Sequence, residues 1–267
     1  MAAEKLTAAD KTLMVLIAAM QESRFIDIVT ATGLSKSTVH RLLQTLLNYG
    51  FVTLTADGEY LPGPSALRMA GTAFESIDIS KIALPFMEEL SAATGYTIHL
   101  GALNGTEAIY IAIVNGDAPY RIPSGIGDRL ALHSTSIGKS LLTGFSERAL
   151  RRYLRDPGLS PKTPNTHTDA QALRTDLQAI RERGYSYDDE ENVPGIRCIG
   201  APIRSHTGQI THGLSLTSLA MENSLADLEK LAPQVIATAQ KISTALGAPS
   251  AGTGIASVGT GTVTDVA

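Results

Sequence analysis

Cys198 is the only cysteine in 267 residues, so no internal disulfide can form and a reducing cytoplasm is the simplest expected address. No apolar run approaches the roughly 18 residues of a membrane span. The longest near the start, Leu13 to Met20, suits a buried first helix. A basic region followed by an apolar stretch and a cleavage site is also missing at the N-terminus, so export is not expected. Positive charge is in short supply: the formal net charge is −4, and residues 1–61 carry five Lys or Arg against six Asp or Glu. That balance excludes a polycationic nucleic-acid binder held by counterion release alone. No two histidines show metal-ligand spacing such as His-x-x-x-His, and no metal or cofactor is expected.

What is present begins with 43% apolar and 18% charged residues in a chain long enough for about two domains, each with a real core. Residues 33–50 read as a turn and one capped helix. Ser35 is placed to cap its free N–H groups and Gly50 to end it, while Val39, Leu42, Leu43, Leu46 and Leu47 repeat with helical spacing. At 100° per residue, Ser37, Arg41, Gln44 and Asn48 fall opposite, flanked by Thr38 and Thr45, a stripe of donors and acceptors able to read base edges. Helices over Leu6 to Gln21 and Arg24 to Thr32 precede it. A strand at Phe51 to Thr55, a two-residue Asp57-Gly58 turn and a return through Glu59-Tyr60-Leu61 make a β-wing. The segment is a winged helix-turn-helix whose expected DNA-binding set is Lys36, Ser37, Thr38, His40, Arg41, Gln44 and Thr45. With so little basic charge, two copies at successive half-sites of double-stranded DNA are needed to supply enough contacts.

Beyond Pro62-Gly63-Pro64, Ser65 to Lys81 resumes a helical pattern with Leu67, Ala70, Phe74 and Ile77 on one face, either a linker that pairs with its twin or a helix packed on its own domain. Strands are expected at Thr97 to Leu103 and Ala108 to Val114 around Asn104-Gly105, with Tyr120-Arg121-Ile122 as a third. Helices follow at Ser136 to Phe145 and Asp169 to Arg183, strands at Tyr185 to Asp189, Arg197 to Arg204 and Ile210 to Thr217, and a helical region at Leu225 to Leu246 interrupted by Pro233. These imply an antiparallel sheet flanked by helices, an α+β domain. The tail from Ala248 has no period and is expected to be disordered. Two clusters look able to hold a small molecule. Residues 132–140 set hydroxyl groups at a helix start, which favours a carboxylate. Residues 184–203 gather Asp188, Glu190, Glu191 and Cys198 around a Pro194-Gly195 turn, and Ser215 and Thr217 lie two apart on the next strand.

These stretches, above all Gly33-Leu-Ser-Lys-Ser-Thr-Val-His-Arg-Leu-Leu, Leu132-His-Ser-Thr-Ser-Ile-Gly-Lys-Ser-Leu-Leu and Gly184-Tyr-Ser-Tyr-Asp-Asp-Glu-Glu-Asn-Val-Pro-Gly-Ile-Arg-Cys-Ile-Gly-Ala-Pro-Ile, closely resemble the IclR-type family of bacterial transcription regulators. The resemblance spans about residues 6–247. It implies a winged-helix DNA-binding domain (1–62), a linker and dimerisation helix (63–81) and a GAF-like, profilin-like effector domain (82–247) before the tail (248–267). It further implies a homodimer, with dimers pairing into tetramers, that binds operator DNA of a catabolic operon as a repressor and answers to an aromatic or short-chain organic acid. By motif position it places effector contacts at Leu130, Ser136, Ile137, Asp188, Cys198, Ser215 and Thr217. Two departures stand out: Ile137 where the family often has a smaller residue, and Arg204-Ser205 where an aromatic followed by Asp or Asn is usual.

Duller readings compete for single residues. Cys198 suits a small core residue, Asp188, Glu190 and Glu191 could be solvated or paired with Arg197, His133 could cap or pack, and Lys139 could meet an anion or lie at the surface. An enzyme is the rival class. His133, His206 and His212 form no recognisable catalytic pattern with Cys198, and no catalytic residue is assigned.

Overall fold

In the computed structural model, which describes residues 6–117 and 122–249, the chain divides into two compact units that part between Ile77 and Asp78. The first opens with α1 (Ala8–Gln21), capped reciprocally: the Thr7 hydroxyl accepts the Asp10 N–H while the Asp10 carboxylate accepts that of Thr7. Helix α2 (Phe25–Thr32) stops at Gly33, whose left-handed φ of 64° is cheap only for glycine, and α3 (Lys36–Asn48) starts from Ser35. Val39, Leu42, Leu43 and Leu46 of α3 are buried with Val15, Ala18 and Ile28, and Leu47 packs at the rim. Each such side chain withdraws from water for roughly 1.5–3 kcal/mol.

Strands β1 (Val52–Leu54) and β2 (Tyr60–Pro62) form the wing. Its tip corrects the two-residue turn expected at Asp57-Gly58. Gly58 N–H donates to Thr55 O at 3.1 Å, Thr55 N–H donates to Glu59 O at 2.9 Å, and Gly58 is left-handed, so the loop has three residues, Ala56 to Gly58. The helix expected over 65–81 is likewise two. Helix α4 (Pro64–Ser76) ends where Asp78 caps α5 (Ile79–Thr94) by accepting the N–H groups of Ser80 and Lys81. Hydrophobic period cannot register a cap that falls in phase with it. Leu67 and Ile77, from the face expected to pack, are 64% and 40% exposed.

In the second unit, β3 (Thr97–Asn104), β4 (Glu107–Val114), β5 (Arg129–Ala131), β6 (Ser186–Asp189), β7 (Ile196–Arg204) and β8 (Ile210–Leu219) form one antiparallel sheet in the order β5-β4-β3-β8-β7-β6. The strand beside β4 is therefore β5. Of the third strand expected at 120–122, Tyr120 and Arg121 lie outside the described residues and Ile122 belongs to no strand. Helices α6 (Ser136–Leu142), α7 (Glu147–Arg155), α8 (Ala170–Arg183), α9 (Leu225–Glu229) and α10 (Ala232–Ala245) complete the unit. Helix α6 stops three residues short of the expected Phe145. Pro233 stands in the first turn of α10, where its missing N–H costs no helical bond. Helix α7 and most of α5 were not anticipated, and of the tail expected to be disordered, 250–267 lie outside the described residues.

Period-two alternation sorts the sheet's faces. Ile98, Leu100, Ile199, Ala201, Leu214 and Leu216 share a core with Met87 and Leu90 of α5 and Val235 and Ile242 of α10. The opposite face carries small and polar residues, and α6 lies directly on it. A Cβ on Gly101 would come within 2.8 Å of Ile137 Cγ2, and one on Gly213 within 3.2 Å of the same atom. These two glycines are paired across β3 and β8 and leave room for a branched residue at 137. Behind α6, the helices pack Leu141, Leu150, Leu173, Leu177 and Ile180 into a second core.

Candidate functional site

The first site is the outer face of α3. Lys36, Ser37, His40, Arg41, Gln44 and Thr45 are exposed and Thr38 is half-buried. Ser35 Oγ accepts the Thr38 N–H at 3.3 Å and lies 2.8 Å from Thr38 Oγ1 and 3.2 Å from Ser37 Oγ, so both of those hydroxyls are partly engaged at the cap. Thr45 Oγ1 donates to Arg41 O at 3.2 Å. Among the described residues none bonds the Arg41 guanidinium or the Gln44 amide, which leaves these two heads as the groups fit for bidentate contacts to guanine and adenine edges. The wing carries no lysine or arginine, and Asp57 stands exposed at its tip. A phosphate could be met there only by Thr53, Thr55 or backbone N–H groups.

The second site is a cavity of about 320 Å³ between the sheet and the start of α6. Strand register assembles it. Asp188 pairs with Cys198 and Cys198 with Thr217, and one rung on, Ser186 pairs with Gly200, Gly200 with Ser215 and Ser215 with His99. All seven residues expected at an effector site line this one cavity: Leu130, Ser136, Ile137, Asp188, Cys198, Ser215 and Thr217. Ser136 and Ile137 open α6, so their N–H groups have no partner within the helix, and Thr135 caps it by accepting the Gly138 N–H at 3.0 Å.

Charge inside the cavity is unusual for an anion site. Asp188 is 3% exposed and its Oδ1 accepts the N–H groups of Glu191 (2.8 Å) and Asn192 (3.2 Å). Burial, reinforced by the Glu191 carboxylate, pushes its pKa up to about 7. It therefore holds its proton to near neutrality, where it is a donor. Burial pushes the Cys198 thiol well above the thiolate range, and its Sγ lies 3.4 Å from Thr217 Oγ1, so the residue is a packed, inert wall. No buried cation among the described residues faces the space. The Arg129 guanidinium is exposed and donates to Glu107 at 2.9 Å.

Lys139, weighed from sequence as an anion partner or a surface residue, is neither. It is 1% exposed and its ammonium meets Glu191 Oε1 at 2.5 Å and Asp176 Oδ2 at 2.8 Å. At Glu191 burial outweighs that charge and the pKa is raised. At Asp176 burial acts the same way, but Lys139 together with Arg183 outweighs it and the pKa is lowered. Arg197 pairs with Asp189 and Glu190. His133 Nδ1 meets Tyr153 Oη and its Nε2 meets Ser160 O, both at 2.9 Å, so it is a packing residue.

Sequence reasoning missed other parts of the wall: Tyr110, Asn192, and Ile122, Pro123 and Ser124 on the loop before β5. It also missed Thr135, although a threonine ahead of a helix start was a legible cap. Nothing local marked Tyr110, because β4 is apolar on both faces. His99 is fully buried behind the wall, and no local pattern in the sequence singled it out. Among the described residues no group of three or more His, Cys, Asp or Glu could hold a metal ion.

Comparison with known proteins bears on both sites. Residues 8–55 match the model of the IclR helix-turn-helix domain, and residues 71–244 that of the bacterial transcriptional regulator IclR C-terminal domain. The chain is 36% identical over 230 residues to the HTH-type transcriptional regulator XynR of Escherichia coli, covering 86% of this chain and 91% of that one. Among solved structures, the Thermotoga maritima IclR is 31% identical with a TM-score of 0.62, covering 90% of this chain and 98% of that one. The Agobacterium tumefaciens repressor BlcR is 26% identical with a TM-score of 0.69, covering 90% and 96%.

Proposed function

The chain belongs to the IclR family of DNA-binding transcriptional regulators, not enzymes, and from that premise we propose that it is a cytoplasmic repressor of a catabolic operon whose second unit senses a small organic acid. One observation carries the sensing half. Seven residues drawn from five elements meet at a single cavity, where Asp188 is buried and keeps its proton until the pH nears 7. A carboxylate fits there through the N–H groups of Ser136 and Ile137 and the hydroxyls of Ser215 and Thr217, with Leu130 and Ile137 as apolar walls. A volume of about 320 Å³ suits a short-chain or a single-ring aromatic acid. Repression is supported by BlcR, which is itself described as a repressor.

In this reading a homodimer, itself able to pair into a tetramer, sets α3 of each protomer into successive major grooves of operator DNA. Arg41 and Gln44 read base edges with Ser37, Thr38 and Thr45 beside them, and Lys36 and His40 meet phosphates. An acid that binds the DNA-free arrangement more tightly releases the operator in proportion to that difference. The test is a gel shift of the full chain on DNA upstream of its own gene, titrated with carboxylic acids. Release is expected for one acid class, and the Ser215→Ala, Thr217→Ala double variant should blunt it while binding DNA as before. An unaltered dose response in that variant would displace the proposed cavity.

A further inference from the structure

His99 is the third residue of β3, with both ring nitrogens engaged: Nδ1 shares a hydrogen bond of 3.1 Å with Thr217 Oγ1, and Nε2 one of 2.8 Å with Ser124 Oγ. Its ring stacks on that of Tyr110, centroids 4.5 Å apart and 26° between planes. Thr217, Ser124 and Tyr110 all line the cavity, on three different elements, while His99 itself lies behind them, fully buried. Burial pushes its pKa down to about 4, so at neutral pH the ring carries one proton for two partners.

One proton between two hydroxyls permits two arrangements. With the proton on Nδ1, His99 donates to Thr217, whose own O–H is then released to point into the cavity or toward Cys198 Sγ at 3.4 Å, and Ser124 donates to Nε2. With the proton on Nε2, Thr217 must donate to Nδ1 and can only accept from a ligand, and Ser124 accepts from Nε2 and turns its own hydrogen elsewhere, the Ile122 carbonyl at 3.5 Å being in reach. Between the two the imidazole proton changes nitrogen and the hydroxyl hydrogens rotate, and no proton is gained or lost.

We propose that His99 is a positioning residue that sets ligand specificity: its tautomer decides whether Thr217 offers the cavity a donor or an acceptor, and ties that choice to Ser124 on the loop before β5. The inference rests on the cavity being the effector site. It deepens that reading by naming the groups discriminated, a carbonyl or carboxylate acceptor against a hydroxyl donor beside the acid function. A neutral histidine between two hydroxyls admits both, so the wild-type site takes a 2-oxo acid and its 2-hydroxy counterpart with comparable affinity.

The experiment uses the full chain labelled with ¹⁵N-histidine, in which ring nitrogen shifts report the tautomer directly and His99→Gln identifies the resonances. Without ligand, Ser124→Ala should move His99 toward the Nδ1–H form, since a proton on Nε2 would lose its acceptor, and Thr217→Val should move it toward Nε2–H for the same reason at Nδ1. The same tautomer in all three proteins would overturn the relay, whatever the cavity binds. The second arm titrates 2-oxobutanoate and 2-hydroxybutanoate. Ser124→Ala should shift the affinity ratio about tenfold toward the 2-oxo acid, a difference of about 1.4 kcal/mol. His99→Asn, which keeps a group at the Nδ1 position, should retain more affinity than His99→Gln. A ratio unmoved by Ser124→Ala would overturn the specificity role. If neither acid perturbed the His99 resonances at about 10 mM, the discrimination between 2-oxo and 2-hydroxy short-chain acids would fail, while the tautomer result stood on its own.

Discussion

The two units put their polar chemistry on opposite sides. In the first, apolar residues of α3 are buried and the hydrogen-bonding stripe faces outward, so function and stability rest on different atoms. In the second, Lys139, His99, Asp188, Ser186 and Ser215 are all buried, and the groups that would meet a ligand also hold the fold together. The contrast follows from what each must recognise. A duplex is larger than the domain and is met by an exposed face, whereas a small acid is gripped only if surrounded, which forces polar groups into a low dielectric where each needs a partner.

The comparison breaks most visibly at Lys139. Lys139→Met should cost about 3–5 kcal/mol of unfolding free energy, because buried Glu191 loses its nearest cation while part-buried Asp176 keeps only Arg183 and His167. Urea unfolding followed on the second unit measures this. A loss below about 1 kcal/mol would mean the cluster is solvated rather than interior. Operator affinity of the still-folded variant should stay near wild type.

Asp188 gives the same lesson through pH. Its folded value of about 7 stands above the ordinary 3.8, so the native state binds the proton more tightly than the unfolded chain does. Its contribution to stability is therefore full below about pH 4, declines as pH rises toward 7 and is flat above, a swing of the order of 4 kcal/mol. Asp188→Asn keeps an oxygen for the Glu191 and Asn192 N–H groups and should flatten that slope. Unfolding curves at several pH values between about 4 and 7.5 would show it. A slope identical in both proteins would place the titration elsewhere.

What could be read in advance also divides between the units. Capping and period are local signals, and they located α3 with the turn before it, the wing strands and the buried face of α3. They failed where the deciding contact is distant or leaves the pattern unchanged. The Asp78 cap interrupts a continuous apolar period, and the tip of the wing gains a residue because the Thr55 hydroxyl accepts the Glu59 N–H at 3.1 Å. Six of the seven cavity residues lay in stretches that the residues themselves marked and the family resemblance added Leu130, whereas His99, Tyr110 and Ser124 required strand register to be seen together. Lys139 was the deepest miss. A lysine one turn into a helix reads as surface until two carboxylates from α8 and the loop after β6 are brought to it.

A subtler break lies beneath α6. Gly101→Ala should destabilise the second unit by about 1–3 kcal/mol, since the new methyl meets Ile137 Cγ2 at 2.8 Å. Adding Ile137→Ala should cost less than the sum of the two single changes, by about 1 kcal/mol or more. Strict additivity in thermal or urea unfolding would show that the glycine column does not set the height of α6. On the outer face of α3 the expectation reverses. Arg41→Ala should change stability by no more than about 0.5 kcal/mol while removing about 1–3 kcal/mol of operator affinity, seen by fluorescence anisotropy on operator against scrambled duplex. Equal affinity for both duplexes before and after the change would remove Arg41 from the reading set.

The smallest effect sharpens the contrast by comparing two lysines. Lys36 is exposed at the first turn of α3, where its ammonium is hydrated in the free protein and gives up little to meet a phosphate. Lys36→Ala should leave the unfolding curve in place and lower the slope of log K against log salt by about one per protomer, as expected when one released counterion is lost. Affinity should fall uniformly across duplex sequences, because a phosphate contact carries no base information. The same residue type buried at 139 should leave the salt slope alone and lower the unfolding midpoint. A Lys36 variant that changed sequence preference without changing the salt slope would put its side chain in the groove instead, and α3 would then enter the duplex by its N-terminal end.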